Sequence, residues 1–316
     1  RDEPDSVIAM SAVCRHRALV LVESAGHCKG RFVCPYHSWT YDKRGNLIGA
    51  PQMPDDFDKT KSGLPRVRCE IWQGIVFVTL NTQAPPLAAR LTPLNAVMAP
   101  WQVGELRGES TIDPNYKMHF DYPWNWKVYA DGQNECYHCD KLHSDSPTVQ
   151  QIDFTTMRML VDEPEAGVFS YCMRTKNKDN TLNHTGQAVL PPIPSLSEED
   201  RWTSISINIA PNVFMQLMAD AVILLMWFPT GAETMHMKRH RLYPPTTLAR
   251  PDFMKLREPE RAAARYFVGQ DDVAFERVQR GLRSQFAPRG PIGPREPVLP
   301  GFNRWLVDRY LEAERA

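Results

Sequence analysis

Two short residue pairs near the start of the chain combine the ligand types that iron and zinc take. Cys14-Arg15-His16 is followed, after seventeen residues, by Cys34-Pro35-Tyr36-His37. Thiolates and imidazoles in this number suit zinc or an iron–sulfur cluster. A zinc finger pairs Cys with Cys and His with His, whereas each pair here holds one of each. That mixture fits a Rieske [2Fe–2S] centre, in which two Cys hold one iron and two His the other. Histidine in place of thiolate removes negative charge from the cluster, which raises its potential and couples it to protons. Arg15, Arg17, Ser38, Trp39 and Tyr41 crowd the two loops and offer the donors and cover that cluster sulfurs need. A structural zinc site is the competing reading. Cys28 and His27 lie between the pairs and read as loop residues.

Glu135-Cys136-Tyr137-His138-Cys139-Asp140-Lys141-Leu142-His143 places two histidines five positions apart, in a stretch from Trp124 to His143 patterned as a helix. Five is too wide for one face of a regular helix, so a local irregularity is implied. Two imidazoles with one distant carboxylate make the facial triad of non-haem iron(II), which leaves positions open for O2 and substrate. The carboxylate is expected from Gln270-Asp271-Asp272-Val273, inside a second helical stretch. Taken alone the histidine pair is weak, because surface histidines at this spacing are common. Cys136 and Cys139 have the spacing of a redox pair but lack its strand-to-helix setting, and no disulfide is expected. Met235-His236-Met237-Lys238-Arg239-His240 looks like a further metal tract. Strand alternation explains it better, with His236 and His240 on one face without a nearby acid.

The elements that must position these residues fall into two groups. With 316 residues the chain is long enough for two domains. Up to residue 80 it reads as short strands and turns: a strand at Val7 to Val13, hairpin-turn chemistry at Asp42 to Asn46, and a buried strand at Gly74 to Leu80. A linker follows at Pro85-Pro86, and helical patterning begins near Leu91. Residues 155–243 return to strand alternation, as in Ser204-Ile205-Ser206-Ile207-Asn208-Ile209. Arg257 to Leu282 is helical, and Phe302, Trp305, Leu306 and Tyr310 make one face of a terminal helix. Without βαβ alternation the class is α+β: an all-β domain over residues 1–80, then a helix-flanked antiparallel-sheet domain over residues 81–316.

Composition narrows the function. Hydrophobic content of 42% describes a soluble globular protein, and 37 acidic against 37 basic side chains argue against nucleic acid or an anionic membrane as partner. The longest apolar run, Ala221 to Phe228, is far short of the ~20 residues a membrane helix needs. Seven cysteines, an odd number and several beside histidines, favour metal binding in a reducing cytoplasm over a secreted disulfide framework.

Together the motifs resemble the Rieske non-haem iron, aromatic-ring-hydroxylating oxygenases of α-subunit type. The resemblance covers nearly the whole chain. It is carried by Cys14-x-His16, Cys34-Pro35-Tyr36-His37-Ser38-Trp39, Asn125-Trp126-Lys127, Glu135-x2-His138-x4-His143, and the Asp272 helix with Gln279-x-Gly281-Leu282. It implies electrons passing from NAD(P)H, through a flavin and ferredoxin-type reductase, to a cluster on Cys14, His16, Cys34 and His37. They then reach a mononuclear Fe(II) on His138, His143 and an aspartate, where O2 is activated. It also implies a head-to-tail homotrimer, in which an acid three residues before the first iron histidine joins it to a cluster histidine of the next subunit. Glu135 and His37 hold those positions. Family members carry a longer segment before the first Cys, so this chain is expected to start late.

Glu as the bridge, in a Glu-Cys-Tyr-His-Cys context, resembles the branch acting on carnitine, glycine betaine, choline or proline betaine, where the commoner pattern has Asp. Ser38 replaces the usual Gly after the cluster His, and Asp131 stands where many members have Asn. For the third iron ligand the Asp-Val-Ala context favours Asp272, whereas counting back from Gln279 favours Asp271; Asp272 is the expected ligand. A quaternary ammonium substrate, hydroxylated or N-demethylated, calls for an aromatic box, with Phe169, Tyr171, Trp202, Phe214, Trp227 and Phe228 as candidates. Most of these would serve equally as core residues. An apolar pocket from the same residues suits hydroxylation or O-demethylation of an aromatic compound, which is the alternative. A pure electron-transfer Rieske protein would end near the first domain.

Overall fold

The computed structural model describes residues 6–113, 115–183 and 185–315. The chain divides into two compact units, Arg1–Leu87 and Ala88–Ala316.

In the first unit two small antiparallel sheets dominate. β1 (Ala9–Met10), β5 (Arg66–Trp72) and β6 (Ile75–Thr79) form one, and β2 (Arg31–Val33), β3 (Thr40–Asp42) and β4 (Leu47–Gly49) the other. The β3–β4 turn follows from its residues. The Asp42 carboxylate accepts from the backbone N–H of Arg44 at 2.8 Å and of Asn46 at 2.9 Å, and Gly45 takes φ +82°. A Cβ at Gly45 would also meet Met10 Sδ at 3.0 Å, so the turn is held against β1. Two expectations are corrected. Only Ala9–Met10 of the first proposed strand joins a ladder, and β6 is an edge strand rather than a buried one, with Val76 and Val78 45% and 62% exposed. A small domain cannot cover both faces of every strand. Its core is Cys14, Cys34, Trp39, Tyr41, Leu47 and Leu64.

The second unit is built on an antiparallel sheet. β9 (Ile152–Glu163), β10 (Val168–Thr175), β11 (Thr203–Ile209), β12 (Val213–Leu217), β13 (Val222–Gly231) and β14 (Thr234–Tyr243) follow one another as neighbours. Two short strands that precede them in sequence, β7 (Arg107–Gly108) and β8 (His119–Tyr122), both pair with β14. One face of this sheet is covered by a two-turn helix, Trp126–Gln133, a long helix, Phe253–Gly281, and a terminal helix, Leu299–Arg315. The packing is close. A Cβ on Gly132 would lie 2.3 Å from the Phe275 ring, and one on Gly301 2.4 Å from Phe169. Among the described residues no helix is long and apolar enough to cross a membrane.

The single helix expected from Trp124 to His143 is broken. It runs from Asn125, whose side chain caps Lys127 N–H, to Gln133, and only one further turn, Cys139–Leu142, is helical. The donors between are used elsewhere. Cys136 N–H bonds the Arg295 carbonyl at 3.0 Å, while the Glu135 carboxylate accepts from Tyr137 and His138 N–H. Cys136 and Cys139 form a disulfide across this turn, which corrects the expectation of none.

Candidate active site

The break in the helix creates the site. His138 and His143 flank the short turn and meet Asp271 of the long helix, with one ligand atom from each residue within 4.8 Å of the others. Asp271 Oδ1 lies 2.9 Å from His143 Nε2 and 3.6 Å from His138 Nε2. Each imidazole is held from behind. His138 Nδ1 bonds Glu135 Oε1, and His143 Nδ1 lies 2.9 Å from Gln270 Oε1. Both partners are acceptors, so the Nδ1 atoms carry the protons and the Nε2 lone pairs face the carboxylate. Phe267 stacks on the His143 ring at 3.8 Å.

These facing lone pairs decide what the site fits. His143 is fully buried, and its Nε2 and Asp271 Oδ1 are buried without a hydrogen-bond partner among the described residues. Buried polar atoms left this way are costly. A divalent cation relieves both and engages His138 Nε2 as well, and two imidazoles with one carboxylate is the donor set of non-haem iron(II).

The carboxylate that meets the histidines is Asp271, and the expectation of Asp272 is corrected. Adjacent helical residues point about 100° apart, so only one of the two can face the pair. Asp272 lines the neighbouring cavity instead, where burial, opposed by the Arg239 guanidinium, pushes its carboxyl up to about 6.

Beside the three ligands opens a cavity of about 220 Å3. Of the six expected aromatic residues, the structure brings Tyr171 and Phe214 to it. The other four lie outside. Phe169 is buried against Gly301, Trp202 ends a 3-10 turn, Trp227 packs on Tyr129, and Phe228 is exposed with the Lys238 amine 5.8 Å from its ring. Sequence reasoning missed Tyr116, Tyr129, Phe154 and Phe267, which also line the cavity. Phe267 was legible, standing one helical turn before Asp271. Another correction concerns His236. Asp121 of β8 lies 2.8 Å from its Nδ1, and His119 Nδ1 lies 3.0 Å from its Nε2, so an acid is at hand that the sequence order concealed.

In the first unit, two loops of like shape present the other ligand set. Cys14 and Cys34 are each closed by a bond from the N–H four residues on, Ala18 and Ser38, which take φ +58° and +59°. Ser38 thus adopts the left-handed conformation that glycine takes at no steric cost. The two thiols are buried within reach of one another, and His16 Nδ1 lies 3.1 Å from His37 Nδ1. Trp39 stacks on His16, and Tyr41 Oη lies 3.4 Å from Cys14 Sγ. Burial and the Cys14 thiol push the Tyr41 phenol up to about 12, so it remains a donor toward sulfur. Two buried sulfurs and two converging Nδ1 atoms fit a Rieske cluster.

Residues 110–312 match the family described as ring hydroxylating alpha subunit (catalytic domain), and residues 1–69 match the Rieske [2Fe-2S] domain. The chain is 34% identical over 146 residues to the glycine betaine monooxygenase oxygenase subunit of Chromohalobacter salexigens, covering 45% of this chain and 31% of that one. It is 26% identical over 317 residues to the anthranilate 1,2-dioxygenase large subunit of Burkholderia cepacia, covering 89% and 71%. The carnitine monooxygenase oxygenase subunit of Acinetobacter pittii is also 26% identical, over 299 residues, with the same coverage. In fold, a quaternary ammonium Rieske monooxygenase bound to an inhibitor superposes with a TM-score of 0.74 at 21% identity, over 98% of this chain and 80% of that one. A naphthalene 1,2-dioxygenase with indole bound gives 0.70 at 19%, over 89% and 68%. With a Rieske domain before a catalytic domain that holds a mononuclear iron site, the chain belongs to the ring-hydroxylating α-subunit family of Rieske oxygenases.

Proposed function

We infer that the chain is the oxygenase component of a Rieske non-haem iron system that oxidises a small quaternary ammonium compound, using O2 and electrons from NAD(P)H through a reductase. The observation that carries the oxygenase reading is the convergence of His138 Nε2, His143 Nε2 and Asp271 Oδ1, two of them buried without hydrogen-bond partners among the described residues, at an aromatic-lined cavity. When bound, the cluster supplies electrons and the mononuclear iron the place where O2 is activated.

The chain's own residues prepare that chemistry. Cys14, Cys34, His16 and His37 would hold the cluster, with the Tyr41 hydroxyl donating to Cys14 Sγ. His138, His143 and Asp271 would hold the iron. Glu135 and Gln270 keep the Nδ1 protons in place and fix both rings. Glu135 Oε1 is already on His138 Nδ1, and this supports the reading of Glu135 as the acid that joins His138 to His37 of the next subunit in a homotrimer. Tyr171, Phe214 and Tyr129 give a cationic headgroup π faces to approach and exclude water around it. The relatives named for glycine betaine and carnitine support this substrate class.

A second reading rests on the longer match to the anthranilate dioxygenase subunit and on a lining that would equally receive an aromatic ring. The test is anaerobic reconstitution with iron and sulfide, then O2 uptake with a reductase. Visible bands and a reduced signal of low average g are expected, with uptake and demethylated or hydroxylated product from glycine betaine or carnitine. Uptake with benzoate or anthranilate alone would favour the second reading. Absence of the cluster signal, with zinc bound instead, would overturn both.

A further inference from the structure

Strand β14 carries arginines where its alternation calls for core residues. Met235 and Met237 are fully buried, and Arg239 and Arg241 continue the same face. With Arg257 they bring three guanidinium groups to the cavity. Two of these are neutralised within the protein. Arg241 lies 3.3 Å from Glu260 and 3.9 Å from Asp220, and Arg257 lies 2.9 Å from Glu109 and 3.2 Å from Glu260.

Arg239 is different. Its Nη2 contacts Met237 Sδ at 3.8 Å, its guanidinium carbon sits 4.8 Å from the centre of the Phe120 ring, and it donates a hydrogen bond to the Tyr122 hydroxyl, a neutral partner. Among the described residues no carboxylate lies within 4.0 Å of it. Asp272, which shares the cavity wall with it, makes no ion pair with it within that distance, though, against burial, the guanidinium charge still pulls its carboxyl down. Arg239, Val268 and Asp272 line both the main cavity and a neighbouring one of about 280 Å3 edged by Lys117 and Arg265, so Arg239 stands where the two meet.

An arginine cannot shed its charge, and its planar fork of donors matches a carboxylate. Half-buried and with only neutral partners among the described residues, it is left with a charge to be balanced by an acid that enters the cavity. We propose that Arg239 anchors a carboxylate of the substrate, so that the enzyme takes small organic acids whose other end lies toward His138, His143 and Asp271. This rests on the reading of the cavity as the substrate site, and it adds an acid group to whichever scaffold occupies it. A betaine meets the requirement through its own carboxylate, and an aromatic acid does so as well, whereas choline and plain aromatic hydrocarbons do not.

The test is anaerobic calorimetric titration of the metal-loaded full chain with two matched pairs of probes: glycine betaine against its methyl ester, and benzoate against benzamide. In at least one pair the acid should bind about tenfold tighter or more, the range of a charge-assisted bidentate contact. Arg239→Gln should erase that preference while leaving the neutral member's affinity unchanged, and Arg239→Lys should retain part of it. If the benzoate pair behaves so and neither betaine probe binds, the anchor stands and the quaternary ammonium reading falls. Should Arg239→Gln fail to fold, the wild-type preference and the Arg239→Lys titration decide. A wild type without preference for the acid, a preference that survives in Arg239→Gln, or no binding by any of the four probes would overturn the proposal.

Discussion

At the scale of single residues, the site turns on which lone pairs are aimed and which are already used. Asp271 Oδ1 faces both Nε2 atoms and has no other partner among the described residues, whereas Asp272 turns away into the cavity wall. Asp271→Ala should therefore lose mononuclear iron, while Asp272→Ala keeps it; metal analysis of the two purified variants checks this, and iron retained in Asp271→Ala would refute the assignment. Cys34→Ser should remove the visible cluster spectrum and leave the mononuclear iron bound. Glu135 is spent on His138 and on two backbone N–H groups of the turn. Glu135→Gln preserves its size but replaces an acceptor by a donor, and loss of such an orienting acid costs about 10- to 100-fold in activity. Turnover should fall by at least that lower bound with both metals present. Normal reoxidation of the cluster by O2 in this variant would show that electrons do not pass this way.

At the scale of elements, the ligand geometry depends on how two helices pack. Gly132 lets the Phe275 ring come against the two-turn helix, and Phe275 lies one turn beyond Asp271 on the long helix. A methyl group there would overlap the ring, and overpacking of this kind costs about 1–3 kcal/mol. Gly132→Ala should lower the urea midpoint accordingly and weaken iron binding, because the displaced ring carries Asp271 with it. An unchanged midpoint would mean that Phe275 has room to move. Hairpin chemistry at Asp42 to Asn46 and the alternation of β14 were legible in the sequence, since each depends on neighbours in the chain. The broken helix before His143 was legible only as an irregular spacing. Its cause lies in the Arg295 carbonyl and in the Cys136–Cys139 disulfide, and the first of these is a partner that sequence order does not place.

At the scale of the whole catalytic unit, a buried ion network ties distant segments together. Glu109, Asp220 and Arg241 come from three separate segments, Arg257 and Glu260 from one turn of the long helix, and all five are buried. Burial, with the Asp220 charge, outweighs the pull of Arg241 and Arg257 and pushes Glu260 up to about 7. A carboxyl whose pKa is raised by folding contributes stability below its unfolded value, near 4.5, and that contribution is lost as pH rises through about 7. Stability should thus fall between those limits by a free energy on the order of 3 kcal/mol, and the thermal midpoint with it. Glu260→Gln cannot titrate, so its midpoint should be flatter across the same window. An identical slope in the two proteins would assign the dependence to other groups.

Much of this protein was determined by its sequence alone. Ligand types and their short spacings are local properties, so both metal sites, the α+β class and the order of the two units could be read before any fold was known. Covalent neighbours also placed Glu135 three residues before His138, where its carboxylate meets the ring. What only the tertiary structure decided were matters of direction. Which of Asp271 and Asp272 faces the histidines depends on the rotation of the long helix against the sheet, and a rotation of one residue, about 100°, exchanges them. Phe169 and Phe214 share one face of the sheet, both opposite Asn208, and which of them reaches the cavity depends on where along that face the terminal helix lies, since its Gly301 covers Phe169; residue type is blind to that. Nor could the sequence show that Arg241 finds Glu260 and Asp220 while Arg239 finds no carboxylate among the described residues, because those acids are remote in the chain and are brought near by packing.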